Sequence, residues 1–171
     1  MIFDSSLGID FRADHLILTY LKRSFGKIRL VDFAIHPILP EGQKEQREAQ
    51  AIGLINTFIQ KHQIKKEKIS ISIPREKVIV RFIKFPLATK ENLRKVIDYE
   101  APKYAPFEKG EVYFDYAILE EEKEWLHLFV VFVKKEEVDL SLSLLKKIGI
   151  QPLSIQIPST AAFNLFFYHQ E

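Results

Sequence analysis

Val78-Ile79-Val80-Arg81-Phe82-Ile83-Lys84-Phe85-Pro86-Leu87 opens the stretch that decides the fold, and Tyr104-Ala105-Pro106-Phe107 stands at its middle. The first run is nearly continuous in apolar residues, broken only by Arg81 and Lys84, and Pro86 stops it, so it reads as a strand. Thr89 is an expected N-cap. Glu91 lies in the first turn, where the helix dipole favours negative charge. Leu93, Val96 and Ile97 make the apolar face of the helix, which Pro102 is expected to end. Val112, Phe114, Tyr116 and Ile118 then alternate as a strand. Glu120-Glu121-Glu122 makes a hairpin tip, and Trp125 to Val133 returns antiparallel. This is a strand-helix-strand-strand block lying between Pro74 and Pro152.

Outside the block the pattern changes. Leu7, Ile9 and Phe11 alternate, then Leu16, Leu18 and Tyr20, then the run from Lys27 to Ile35. Short turns at Arg12-Ala13-Asp14 and Ser24-Phe25-Gly26 join them into an antiparallel meander, with Gly26 free to take positive φ. A helix follows from about Gln43 to His62, with Ala51, Ile52, Ile55, Phe58 and Ile59 on or beside one face. Lys65, Lys66 and Lys68 form a basic connection. Ile69, Ile71 and Ile73 alternate with serines in another strand. After the block, Glu136 to Ile148 is helical and stops at Gly149. Leu153, Ile155 and Ile157 make a last strand, and Ser159 opens an apolar helix over Ala161 to Phe167. The expected fold class is α+β. Two subdomains are expected, residues 1–77 with 150–171 as one and 78–149 as its insert.

Composition excludes several functions. The 171 residues are 47% hydrophobic, which is a folded composition. A chain of this length buries roughly 70% of its unfolded surface and needs no staple. There is no cysteine, hence no disulfide, thiolate metal site or thiol chemistry. Net charge is +2, too balanced to indicate a nucleic-acid surface. No apolar run approaches the ~18 residues of a membrane span, and the N-terminus has no signal-peptide pattern, so the cytoplasm is the expected location. The histidines at 15, 36, 62, 127 and 169 lack H-x-x-x-H spacing, so no metal site is expected. Walker, G-x-S-x-G and G-x-G-x-x-G motifs are absent. Asp10 is expected to close a strand edge on turn amides, and Asp115 to face solvent. Phe85-Pro86-Leu87 and Tyr104-Ala105-Pro106-Phe107 are apolar where loops are normally polar. They either pin the helix to its sheet or form a groove for a peptide.

The ordered set Leu7-Gly8-Ile9-Asp10, Ser70-Ile71-Ser72-Ile73-Pro74, Arg81 to Pro86, Glu100, Tyr104-x-Pro106-Phe107, Phe114-Asp115-Tyr116 and Gly149-Ile150-x-Pro152 resembles a known family. It is similar to the actin-like PilM proteins of type IV pilus assembly and the cytoplasmic region of the type II secretion protein GspL, with FtsA more distant. The resemblance implies an actin-like (ribonuclease H-like) subdomain 1A carrying an inserted 1C-type subdomain. It also implies that the chain is the N-terminal lobe of a longer protein. On this resemblance Gly8 and Asp10 belong to a vestigial phosphate hairpin. The family pattern Gly-Ile-Asp-x-Gly has Arg12 at its last glycine, and a side chain there crowds phosphate. No cofactor is therefore expected, ATP with magnesium being reserved for a longer protein. The implied role is a non-enzymatic cytoplasmic scaffold, peripheral to the inner membrane. It would bind a segment of a PilN-like or GspM/GspE-like partner at the subdomain junction, through Phe85, Pro86, Leu87, Tyr104, Pro106 and Phe107. A homo-oligomer is open, and neither nucleic acid nor direct membrane insertion is expected. The competing readings are a lobe of an actin-fold ATPase or sugar kinase, and a filament subunit.

Overall fold

The computed structural model describes residues 4–40, 42–65 and 68–168. Lys66 of the basic connection, His169, and the ends of the 1–77 and 150–171 segments lie outside the described residues. Within them the chain runs β1 (Asp4–Phe11), β2 (His15–Ser24), β3 (Lys27–Pro37), α1 (Lys44–His62), β4 (Ile69–Ser72) and β5 (Val78–Pro86). It continues through α2 (Leu93–Tyr104), β6 (Val112–Glu121), β7 (Trp125–Lys134), α3 (Lys135–Lys147), β8 (Ser154–Gln156) and α4 (Pro158–Tyr168).

The chain divides into two units. Residues up to Arg75 with those from Leu140 form the first, and Glu76–Asp139 the second. In the first, a five-stranded sheet has the order β3-β2-β1-β4-β8. β1, β2 and β3 are the antiparallel meander, while β4 and β8 run parallel to β1. Period-2 alternation sends Leu7, Ile9, Leu16, Leu18, Ile69 and Ile71 to one face. There they pack with Ala51, Ile55, Phe58 and Ile59 of α1 and with Leu144 and Leu145 of α3. Those last two residues place the C-terminal part of α3 in the first unit, so the boundary falls inside the helix, between Asp139 and Leu140. Phe25 and Gly26 both take positive φ in the two-residue β2–β3 turn.

The second unit is an antiparallel sheet of order β5-β7-β6 with α2 on one face. Leu126, Leu128, Val130 and Phe132 of the central strand are buried with Ile83, Phe85, Leu93, Ile97 and Ala101. Two expectations at α2 are corrected. Thr89 does not cap the helix. A 3-10 segment over Leu87–Asn92 precedes α2, and Thr89 Oγ1 donates to the Pro86 carbonyl at 2.7 Å. Pro102 does not end α2 but lies inside its last turn, and the helix runs on to Tyr104. Proline there forgoes one hydrogen bond, and only the final turn must absorb it.

No residue of α4 is buried, although Phe163, Leu165, Phe166 and Phe167 are large and apolar. Its end is tied to the β2–β3 turn: Tyr168 Oη accepts from the Ile28 N–H at 3.0 Å and donates to the Gly26 carbonyl at 3.2 Å. No helix among the described residues is long and apolar enough to cross a membrane.

Candidate functional site

Gly8 and Asp10 alternate with Leu7 and Ile9, so their substituents project from the face opposite the core. Asp10 does not close a strand edge as expected. β1 is the middle strand, and Asp10 is paired with Ile17 on one side and Ser72 on the other. Its carboxylate takes a side-chain partner in place of turn amides. Arg12 Nε and Nη2 both reach Asp10 Oδ2 at 2.8 Å. Asp10 Oδ1 is buried and has no hydrogen-bond partner among the described residues.

The β1–β2 turn is closed by its own protein partners. The Arg12 N–H donates to the His15 carbonyl at 2.8 Å, and the Ile38 N–H donates to the Asp14 carbonyl at 2.9 Å. Arg47 of α1 reaches across with its guanidinium. Nη1 donates to the carbonyls of Ala13 and Leu39, and Nη2 to that of Arg12. A phosphate needs free N–H groups directed at it. This turn instead holds its carbonyls against a guanidinium. The Asp14 carboxyl is held below its usual range, chiefly by its hydrogen bond with His15. Gly8 makes no cradle either, since a Cβ there would meet Thr19 O at 3.8 Å, an ordinary contact.

The apolar loop residues come together in the second unit. Phe85 is buried, and its ring meets Tyr104 edge to face with centroids 6.3 Å apart. Leu87, Tyr104 and Phe107 are half-buried against the same core. Pro86 and Pro106 are exposed. The Leu87 N–H donates to the Glu124 carbonyl at 2.8 Å, tying this loop to the β6–β7 hairpin.

That hairpin holds a group that linear spacing conceals. One ligand-type atom each from Glu120, Glu122 and His127 lies within 4.8 Å of the others. Antiparallel pairing sets Glu120 opposite His127, across a register shift after Ile118. The group is held by polar contacts: His127 Nε2 lies 3.1 Å from Glu122 Oε1, and Lys84 Nζ is 3.5 Å from Glu122 Oε2. Asp115 faces outward, and its Oδ1 accepts from the Tyr116 N–H at 3.0 Å.

Comparison with known proteins gives this geometry its relatives. The family description of the type IV pilus assembly protein PilM matches residues 8–168. A chain of a PilM–PilN type IV pilus biogenesis complex is 24% identical, with a TM-score of 0.71, over 89% of this chain and 47% of that one. The cytoplasmic domain of EpsL, an inner-membrane component of the type II secretion system of Vibrio cholerae, is 14% identical. Its TM-score is 0.58, over 91% of this chain and 57% of that one. The chain thus spans about half the length of the structures it matches, and both likenesses are of fold. No curated protein matches it. The match over residues 8–168 places the chain in the type IV pilus assembly protein PilM family.

Proposed function

We propose that this chain is one lobe of a non-enzymatic cytoplasmic scaffold in a pilus or type II secretion assembly platform at the inner membrane. Its partner is a short segment of a PilN-like or GspM/GspE-like protein. The observation that carries the reading is the family match together with loops that are apolar on a surface. Leu87, Tyr104 and Phe107 are half-buried rather than fully buried, and Pro86 and Pro106 lie beside them in sequence in the open. Phe85, wholly in the core, acts as their support. An aromatic ring covered by a bound segment supplies about 2 kcal/mol or more. Tyr104→Ala or Phe107→Ala should therefore weaken binding of a synthetic cytoplasmic segment of the membrane partner by about tenfold or more. Affinity and melting temperature are measured on the same two variants. A fall in melting temperature with unchanged affinity makes these loops core alone and sinks the groove.

One observation favours a second reading, a lobe of an actin-fold ATPase: Asp10 Oδ1 is buried and has no partner among the described residues. Against it, Arg12 already sits on Asp10 Oδ2, where a cation would bind, and Arg47 ties the turn's carbonyls to α1. We expect no ATP hydrolysis by this chain and no calorimetric heat on adding magnesium-ATP. Micromolar binding abolished by Asp10→Ala would overturn that expectation.

A further inference from the structure

The sheet of the second unit has two edges, and they are built differently. β5 carries Arg81, Lys84 and Pro86, residues that discourage a further strand. β6, Val112-Tyr-Phe-Asp-Tyr-Ala-Ile-Leu-Glu-Glu121, has no lysine, arginine or proline. The Lys135 N–H donates to the Glu111 carbonyl at 2.8 Å. The alternation of an antiparallel ladder then turns the N–H groups of Val112, Phe114, Tyr116 and Ile118 away from β7. The Tyr116 N–H is met by the Asp115 carboxylate at 3.0 Å, a side chain standing where a neighbouring strand's carbonyl would be.

Beside β6 and the start of α2 lies a groove of about 560 Å³. Tyr113, Phe114 and Tyr116 line it from the strand, and Arg94 and Lys95 from the helix, with Lys135 at one end. Its charge is unbalanced: four cations, counting Lys90, face two carboxylates, Glu91 and Asp98. Lys90 is spent on Glu121. Among the described residues Arg94, Lys95 and Lys135 have no ion pair; Arg94 lies 5.0 Å over the Phe114 ring and Lys135 5.3 Å over that of Tyr113. An open strand edge beside a helix, with surplus cations on aromatic rings, suits an extended anionic chain.

We propose that β6 accepts an extended acidic segment of a partner protein as a fourth strand. Its backbone would pair with the outward N–H and C=O groups of Phe114, Tyr116 and Ile118, and its carboxylates would reach Arg94, Lys95 and Lys135. Residues on one face of a strand recur every ~7 Å, so alternate acidic positions meet the helix side together. This surface is separate from the Tyr104–Phe107 loop and does not depend on the reading of that loop.

The probe is a blocked octapeptide of alternating glutamate and valine, titrated into the full isotope-labelled chain. Amide shifts should cluster on residues 112–118 and on α2. The same peptide with lysine for glutamate, or N-methylated at alternate residues, should bind at least about tenfold more weakly. Arg94→Glu with Lys95→Glu should cause a similar loss without lowering the melting temperature, since both side chains are exposed. Ile118→Pro should do likewise, because the N–H it removes is not used by β7. The proposal is overturned by shifts lying elsewhere, by equal binding of the lysine or N-methylated peptide, or by no binding at about 1 mM. Self-association with the same β6 shifts would assign the edge to a second copy and overturn it equally.

Discussion

The two sheets handle their polar and open surfaces in opposite ways. The five-stranded sheet carries Gly8 and Asp10, the positions the resemblance singles out, on its middle strand and then shuts them. Arg12 sits on the carboxylate, and Arg47 holds the turn's carbonyls. Among the described residues, the three-stranded sheet leaves Arg94, Lys95 and Lys135 without an ion pair and its β6 edge without a further strand. Bound phosphate needs unpaired donors, and so does a bound peptide; the β1–β2 turn has its groups taken by protein partners, whereas the β6 edge has no further strand among the described residues. The hairpin that the resemblance singles out and the surface proposed for a peptide therefore lie on different sheets.

The sharpest way to break this contrast is through the cores. Phe132 and Ile71 are each fully buried, one per unit. Phe132→Ala should cost about 3–5 kcal/mol and Ile71→Ala about 2–5 kcal/mol. Hydrogen exchange should show each loss of protection concentrated in the unit that hosts the substitution. Uniform loss across both sheets would mean a single cooperative core.

Next in size is the turn clamp. Arg47→Ala removes three charge-assisted hydrogen bonds to carbonyls that water can partly replace, and should cost about 1–3 kcal/mol by denaturant titration. Arg47→Lys should recover little, because a single ammonium cannot reproduce the planar fork. Full recovery by lysine would mean that charge alone holds the turn.

A smaller effect belongs to Asp32, on the outer strand of the first sheet. Its carboxyl is held below the usual value of 3.8 by hydrogen bonds from Lys61 and then His62. The folded value is the lower one. The stabilisation is therefore present above about pH 4 and is lost as pH falls through the folded value. Asp32→Asn should flatten the acid limb of the stability profile and leave its alkaline limb unchanged. An unaltered acid limb would remove Asp32 from the account.

The smallest change expected is at Gly8. Because a Cβ has room beside Thr19, Gly8→Ala should leave stability unchanged or raise it by up to about 1 kcal/mol. A loss greater than that would restore the idea of a tight phosphate-type cradle.

Much of this was legible in the order of residues. Alternation at Leu7/Ile9, Ile69/Ile71 and Leu126/Leu128 gave the strands and the faces they bury. Ile55 and Ile59 gave the buried stripe of α1. Local chemistry was less faithful: Thr89 has the composition of a cap, but the 3-10 segment that begins right after Pro86 claims its hydroxyl. What could not be read depended on pairs distant in sequence. Arg47 meets the Arg12 carbonyl only once α1 is laid across the meander. Glu120 meets His127 only through a ladder whose register shifts. The groove beside β6 needs both the strand order and the start of α2, and no spacing in the chain announces either.

The Arg12–Asp10–Arg47 arrangement also gives the turn two independent locks. Arg12 comes from the turn and Arg47 from a separate helix, and each alone keeps part of the hairpin occupied. Losing Arg12 leaves the carbonyls still clamped. Losing Arg47 costs stability while Asp10 remains paired. Freeing both the carboxylate and the turn's carbonyls therefore takes two substitutions, at positions 35 apart in sequence, because removing either arginine alone leaves the other lock in place.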